Sequence, residues 1–156
     1  DQIERMKALN VGAQTQPIFI NSDLPTLEKA LGTRMQDAYL FYSLYKNVKT
    51  TISTDCPVEP INPFENMYTA ITRKSIKYPE LGVYNQQERF SFHEALDAYT
   101  LTPAYFMYKE DYLGKIEPGY LADFIVIEGL DENKPDSLLK TKVLSTYIEG
   151  ECVYNA

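Results

Sequence analysis

Cysteine and histidine are scarce in this chain, and their scarcity excludes several kinds of site. The two cysteines, Cys56 and Cys152, lie far apart and outside any Cys-x-x-Cys spacing, so they predict neither a metal knuckle nor a disulfide framework. His93 is the single histidine, which leaves Cys56 without a nearby base and without a predicted catalytic role. We expect two free thiols in a reducing compartment, and hence a cytoplasmic protein.

Basic residues and long apolar runs are also few. Fifteen basic residues stand against 22 acidic ones, and the net charge of -7 repels the phosphate backbone of nucleic acids and anionic lipid. No stretch approaches the ~18 consecutive apolar residues of a spanning helix, and the N-terminus lacks the basic and apolar segments of a signal peptide. We therefore predict no nucleic-acid partner and no membrane association.

The composition that remains is typical of one globular domain, with 44% apolar residues, 7 glycines and 9 prolines. The sequence begins with Asp1 rather than Met, and Ile3, Met6 and Leu9 already form the apolar face of a helix. This start suggests a piece of a longer protein. A chain trimmed close to its true start is the alternative that composition leaves open.

Helix-like and strand-like segments alternate through the first half of the sequence. The patterns predict a helix over 1–9, a strand over 11–17, a short helix capped by Asp23, an amphipathic helix from Met35 to Tyr45 and a strand over 48–52. Asp55 lies in the turn-rich segment that follows the last of these strands. Because it comes directly after a strand, Asp55 is placed at that strand's carboxyl end.

Two sequence signatures mark helix starts in the middle of the chain. Asn62 with Glu65, and Ser91 with Glu94, have the spacing of capping boxes, and each precedes an apolar stripe. The polar segment 73–89 between these helices has no periodicity and is long for a loop, so it is predicted to be a mobile or functional flap.

The last third of the chain is predicted to be β-structure without helices. Strands are expected over 124–127, 143–148 and 151–154, the first of them buried and the last two joined by a hairpin turn at Glu149 and Gly150. Strand–helix units followed by a β-only tail indicate an α/β fold with a parallel sheet or barrel and a small appended sheet. A complete (β/α)8 barrel needs ~200 residues or more, so any barrel here is incomplete.

Two stretches resemble the amidohydrolase superfamily. Residues 114–127 are similar to its Gly-x-Ile-x-x-Gly-x-x-Ala-Asp motif with the apolar run that follows, and residues 147–154 are similar to its last hairpin. Residues 53–59, with Asn62-Pro63 and 70–73, resemble the segment around the last barrel strand in amidohydrolase family 3, which includes N-substituted formamide deformylases. The resemblance spans essentially the whole chain.

The resemblance implies a specific architecture. Strands 7 and 8 of a TIM-like (β/α)8 metal-dependent hydrolase barrel would lie at about 11–17 and 49–54, and the tail would supply C-terminal strands of a composite β-sandwich. The implied division is 1–110 for the C-terminal part of the barrel and 111–156 for the sandwich strands. As an isolated chain this architecture is incomplete.

The resemblance also implies a metal centre of which this chain carries one ligand. The family draws His-x-His from strand 1, a carboxylate or modified lysine from strand 4, histidines from strands 5 and 6, and an aspartate from strand 8, which matches Asp55. His93 aligns with none of these positions. A divalent metal, with zinc expected, is therefore implied for the full-length enzyme, and none is expected to bind the fragment alone.

Each candidate residue also has an ordinary structural interpretation. Asp55 is predicted to bind the metal and to accept a proton from its water, although an isolated loop carboxylate would more commonly cap the turn before Pro57. Arg34 could bind a substrate carboxylate or carbonyl, although solvated arginines at helix ends are more frequent. Asp123 is predicted to accept backbone hydrogen bonds at the turn from Gly119.

The sequence therefore favours the C-terminal fragment of a hydrolase that cleaves a C–N bond in a small amide-like substrate, with the fragment alone inactive. A non-catalytic α/β interaction module of the same descent is the competing hypothesis. A barrel slice leaves strand edges and apolar helix faces unpaired, so a homo-oligomer is expected.

Overall fold

The computed structural model describes residues 2–156; Asp1, the predicted first residue of the first helix, lies outside them. The elements, in chain order, are α1 (Gln2–Ala8), β1 (Ala13–Thr15), α2 (Ile20–Leu31), α3 (Phe41–Asn47), β2 (Thr50–Ile52), α4 (Pro63–Thr72), α5 (Phe92–Tyr99), α6 (Leu101–Phe106), β3 (Phe124–Glu128), β4 (Lys142–Ile148) and β5 (Glu151–Asn155). Short 3₁₀ segments lie between them at Pro17–Phe19, Gly32–Asp37, Pro79–Leu81, Gln86–Glu88 and Pro135–Lys140.

The strands β1 and β2 form a parallel pair in which Ala13 lies beside Thr50 and Thr15 beside Ile52. A parallel pair needs a crossover, and α2 and α3 supply it. The two strands are shorter than the predicted segments 11–17 and 48–52: β1 loses two residues at each end and β2 loses two at its start. The α/β class predicted from the sequence is confirmed.

Helix α4 lies at the centre of the hydrophobic core. It packs against α5 and against the 3₁₀ segments Pro17–Phe19 and Pro135–Lys140, and most of its residues are buried. A helix that is buried on nearly all sides needs neighbours on nearly all sides. Leu138, which is 2% exposed, is the most buried contact of the tail with this core, and the partly buried Ile127, Leu130 and Val143 also pack on it.

The C-terminal strands form an antiparallel sheet in the order β3-β4-β5. Glu149 and Gly150 both have left-handed φ angles, 51° and 82°, which a two-residue hairpin turn requires, so the predicted hairpin is confirmed. The prediction that 124–127 is buried is wrong, since this sheet keeps much of its apolar surface exposed. Asp123 accepts a hydrogen bond from the backbone N–H of Glu149 at 2.7 Å, rather than one at the turn after Gly119.

The predicted helix from Met35 to Tyr45 is wrong in its bounds. Helix α2 starts at Ile20 and continues past Pro25; the backbone at Tyr39 is left-handed (φ 55°), which separates the 3₁₀ segment Gly32–Asp37 from α3. Asp23 does not cap α2 but accepts a hydrogen bond from the Tyr39 hydroxyl. The apolar spacing that suggested one helix therefore arises from two segments packed on the same core.

Both predicted helix starts are confirmed. Ser91 and Glu94 form a complete capping box, with the Ser91 side chain bound to the Glu94 N–H and the Glu94 carboxylate bound to the Ser91 N–H. Asn62 caps α4 through the N–H of Phe64 at 3.0 Å, while Glu65 contacts the Asn62 side chain instead of its backbone. Among residues 2–156, no helix combines the length and the apolarity needed to cross a membrane.

Candidate functional site

The parallel pairing brings the carboxyl ends of β1 and β2 to the same edge of the sheet. The backbone N–H of Ser53 donates to the carbonyl of Thr15 at 2.9 Å, and the Gln16 amide donates to the Ser53 hydroxyl at 3.2 Å. The segments that follow the two strands therefore leave the sheet side by side. In open and closed α/β sheets, ligands bind at this edge.

Asn66 joins both segments to helix α4. Its side chain is 0% exposed; its oxygen accepts from the Ile18 N–H at 2.8 Å, and its nitrogen donates to the Ser53 carbonyl at 2.8 Å and to the Tyr99 hydroxyl oxygen at 2.6 Å. One buried amide thus fixes the exit of β1, the exit of β2 and the end of α5. The chain two residues before Asp55 is held by this contact.

Tyr99 lies beneath this edge with its hydroxyl on Asn66. Burial raises the pKa of the Tyr99 hydroxyl to about 12, although the hydrogen bond from Asn66 acts in the opposite direction. Tyr99 therefore stays a neutral phenol through the physiological pH range. Its contribution to the site is structural support.

Asp55 lies at the predicted position, in the turn after β2. Its backbone is left-handed (φ 55°), its carbonyl accepts from the Val58 N–H at 2.9 Å, and its side chain is exposed. Within the described residues, no hydrogen bond or ion pair engages the Asp55 carboxylate. A carboxylate held at the sheet edge by a tight turn, with free oxygens, can serve as a ligand or as a proton acceptor.

The same turn ends in a buried carboxylate that sequence reasoning missed. Glu59 accepts from the Ser22 hydroxyl and forms an ion pair with Lys77 at 3.1 Å, with the Glu59 side chain 4% exposed. These contacts join the segment after β2 to α2 and to the segment 73–89. Glu59 is engaged on both sides, so its position supports the turn that carries Asp55.

Segment 73–89 is a loop, as predicted, but it is anchored to the core rather than built as a free flap. The guanidinium of Arg73 is fully buried and donates to the carbonyls of Tyr84 and Tyr39, both at 3.1 Å, between the rings of Phe41 and Tyr84. Burial lowers the pKa of Arg73 to about 10, and nearby Glu88 opposes this shift. The Tyr84 hydroxyl donates in turn to the carbonyls of Met35 and Ala38.

A sequence signal for Asn66 and Arg73 exists. On α4 and its end, Asn66, Thr69 and Arg73 follow one another at intervals of three and four residues, which places them on one face of the helix. All three are 0% exposed. A polar stripe beside an apolar stripe is normally typical of a helix with one exposed face, so the spacing marks these residues while their burial is shown by the structure alone.

The other candidate residues are not brought to Asp55 by any contact in the described chain. Arg34 lies exposed in the 3₁₀ segment Gly32–Asp37, His93 lies exposed at the start of α5 beside Glu132 at 3.5 Å, and Cys56 and Cys152 are exposed free thiols. Residues 2–156 contain no group of three or more histidine, cysteine, aspartate or glutamate side chains able to hold a metal ion.

The sequence is similar to a family model and to several known proteins. The sequence model of the amidohydrolase family matches residues 1–154. A putative amidohydrolase, YtcJ of Bacillus subtilis, is 34% identical over 158 residues, which is 97% of this chain and 29% of that protein. The N-substituted formamide deformylase of Arthrobacter pascens is 31% identical over 111 residues, covering 69% of this chain and 19% of that protein.

The fold has a similar counterpart among solved structures. The crystal structure of an uncharacterized metal-dependent hydrolase from Pyrococcus horikoshii matches with a TM-score of 0.67 and 33% identity, over 78% of this chain and 25% of that chain. The chain thus spans less than a third of the length of these relatives. With a family match over nearly its whole length and an amidohydrolase one third identical to it, this chain belongs to the amidohydrolase family.

Proposed function

We propose that this chain supplies the strand 7 and strand 8 units of a (β/α)8 metal-dependent hydrolase that cleaves a C–N bond in a small amide-like substrate. One observation carries the proposal: Asp55 lies at the carboxyl end of β2, beside the carboxyl end of parallel β1, in a chain of the amidohydrolase family. In a barrel the strands contribute their catalytic residues at this end. On this proposal β3–β5 belong to a separate small sandwich.

The chemistry available at Asp55 is that of a carboxylate with two free oxygens. One oxygen would hold a divalent cation, with zinc proposed, and the other would accept a proton from the attacking water. The cation, when bound, would lower the pKa of water toward about 7. The remaining ligands would come from residues other than those described, and the chain alone is proposed to be inactive.

The surrounding residues would keep Asp55 oriented. Asn66 fixes the chain at Ser53, and the ion pair of Glu59 with Lys77 holds the far end of the turn. Arg34 is proposed to bind a substrate carboxylate or carbonyl, because its guanidinium is exposed and forms no ion pair within the described residues. The two exposed free thiols support a reducing, cytoplasmic location.

The proposal is tested by Asp55→Asn in the metal-loaded protein that contains this chain, assayed on a panel of formamides and other small amides. Asn keeps the shape of the side chain and removes the base, so turnover should fall by at least about 100-fold. Asp111→Asn, also an exposed acid, is the matched control and should leave turnover unchanged. Normal turnover in Asp55→Asn would show that the assignment is wrong.

A non-catalytic interaction module is the second candidate, and the sheet β3–β5 favours it. One face of this sheet exposes Ile125, Ile148 and Tyr154, and exposed apolar side chains mark contact surfaces. We propose that this surface forms the homo-oligomer contact of the chain. Light scattering at high protein concentration should show a dimer, and a clean monomer would exclude it.

A further inference from the structure

A cavity of about 490 Å³ lies at the opposite end of the parallel strands from Asp55. Its walls come from α1, the chain before β1, the end of α3, the start of β2 and α6. The volume lies in the range of small-ligand sites. Because this end of the strands lies opposite the edge that carries Asp55, a molecule bound here would not compete with a substrate there.

The charge of the cavity is opposite to that of the chain. Lys7, Lys46 and Lys49 line it and no acidic residue of 2–156 does, although the whole chain carries a net charge of -7. None of the three lysines forms an ion pair within residues 2–156. Glu94, the acid near Lys46, does not line the cavity, and its oxygens accept from the Tyr42 hydroxyl and the Ser91 N–H.

The favourable interaction of cations with helix C-termini accounts for two of these three lysines. Lys7 and Lys46 lie in the last turns of α1 and α3, where a cation stabilises the helix. Lys49 lies beyond the helix, at the start of β2, and its ammonium lies 5.0 Å from the centre of the Tyr105 ring. Its position is set by an aromatic wall rather than by a helix end.

The aromatic wall depends on a glycine. A Cβ atom at Gly12 would lie 2.2 Å from Cζ of Phe106, so only glycine lets the Phe106 ring reach the cavity at this point. Tyr105 and Phe106 then form adjacent faces of α6, with their rings 5.9 Å apart. Flat apolar walls with the Lys49 ammonium over Tyr105, and with Lys7 and Lys46 also in the lining, are complementary to a ring that carries a negative charge.

We propose that this cavity binds a small organic anion with an aromatic ring, such as an aromatic phosphate or carboxylate, with Lys46 and Lys49 on the charge and Tyr105 and Phe106 on the ring. This site is separate from the proposed function at Asp55 and does not rest on it. Its failure and that of the Asp55 proposal are therefore distinguishable.

The test is a titration of the isotope-labelled chain with phenyl phosphate at low salt, followed by amide NMR shifts. Saturable shifts should concentrate at Gly12, Lys49 and Phe106, without shifts at 53–56. Lys49→Gln should weaken binding about fivefold, whereas Lys142→Gln, an exposed lysine on β4, should change it less than about twofold. Lys46→Gln provides a second variant, and an unchanged amide spectrum without ligand shows that each variant folds.

A second ligand, inorganic phosphate, distinguishes the contribution of the negative charge from that of the aromatic ring. Inorganic phosphate should bind at least about fivefold more weakly than phenyl phosphate, because it gains nothing from the aromatic wall. Equal affinity for both would overturn the proposed ligand class and leave a charge patch only. Absence of saturable shifts, or an affinity for phenyl phosphate that neither Lys49→Gln nor Lys46→Gln lowers, would overturn the site itself.

Discussion

The strands β1 and β2 are three residues long, and Thr15 of β1 and all of β2 are buried, whereas β4 and β5 are seven and five residues long and bury only Ser145. The short pair is linked internally by the bond from the Thr15 hydroxyl to the Thr51 carbonyl, and Asn66 joins the end of β2 to helix α4. The longer strands depend on pairing with one another, and the tail reaches the core through Leu138 of the preceding 3₁₀ segment and the partly buried Ile127, Leu130 and Val143. Strand length is thus a poor guide to which sheet the fold depends on, and sensitivity to substitution should differ between the two regions.

The strongest test of this difference is Arg73→Met. The change removes two charge-assisted hydrogen bonds and leaves the Tyr84 carbonyl without its donor and the Tyr39 carbonyl with only the Phe41 N–H, so the free energy of unfolding should fall by about 4 kcal/mol. Arg34→Met is the matched control on an exposed arginine and should change it by less than about 0.5 kcal/mol. Urea denaturation measures both, and similar losses would contradict the buried role of Arg73.

Leu138→Ala tests the link between the two regions. Removal of this buried side chain should cost about 3 kcal/mol and should raise amide exchange throughout β3–β5, because the sheet loses its anchor on α4. Leu139→Ala, at a neighbour that is 41% exposed, is the control and should have little effect. Unchanged exchange in the sheet would show that it is stable without this contact.

Asn66→Ala tests the support of the candidate site. The change leaves the Ile18 N–H and the Ser53 carbonyl without their partner, which should cost about 2 kcal/mol and speed amide exchange at Ile18. Asn155→Ala in the exposed strand β5 should alter neither quantity. Equal exchange at Ile18 in both variants would argue against the proposed connection.

The smallest expected effect is a change in pH dependence with Tyr99→Phe. The Tyr99 pKa is about 12 in the folded chain against 10.0 for an ordinary tyrosine, so the folded state keeps a proton that the unfolded state loses. The stability from this group is complete below pH 10 and is lost as the pH rises toward 12. Tyr99→Phe should therefore lose stability less steeply over that range.

Arg73 does not disturb the comparison between the unsubstituted chain and Tyr99→Phe, because both contain it. Burial lowers the Arg73 pKa to about 10, so Arg73 makes the free energy of unfolding rise with pH over the same range. This contribution is the same in both proteins and cancels. Parallel stability curves from pH 9 to pH 12 would contradict the assignment of the slope to Tyr99.

The sequence predicted local features better than long-range ones. The capping box at Ser91, the cap at Asn62 and the hairpin turn at Glu149 and Gly150 depend on residues within a few positions of one another. The position of Asp55 after a strand is likewise local. Its metal and catalytic role stays a prediction, as does the role of Arg34.

The errors arose where distant segments meet. The segment 73–89 looked free because its anchors, Tyr39 and Phe41, lie more than thirty positions earlier in the chain. Helix α2 continues through Pro25, which supplies no N–H to the carbonyl of Asn21; the Ser75 hydroxyl donates to that carbonyl at 3.5 Å. No periodicity within either segment encodes such pairs.

The left-handed backbone at Asp55 also restricts how this position can change over evolution. A φ of 55° is tolerated by Gly, Asn and Asp and is costly for β-branched residues. A lineage that no longer needed the acid would therefore be expected to drift first to Asn or Gly, with the turn intact. In a set of related sequences, Asn or Gly here would identify descendants that lost the acid but kept the loop, whereas Val or Thr would identify a rebuilt loop.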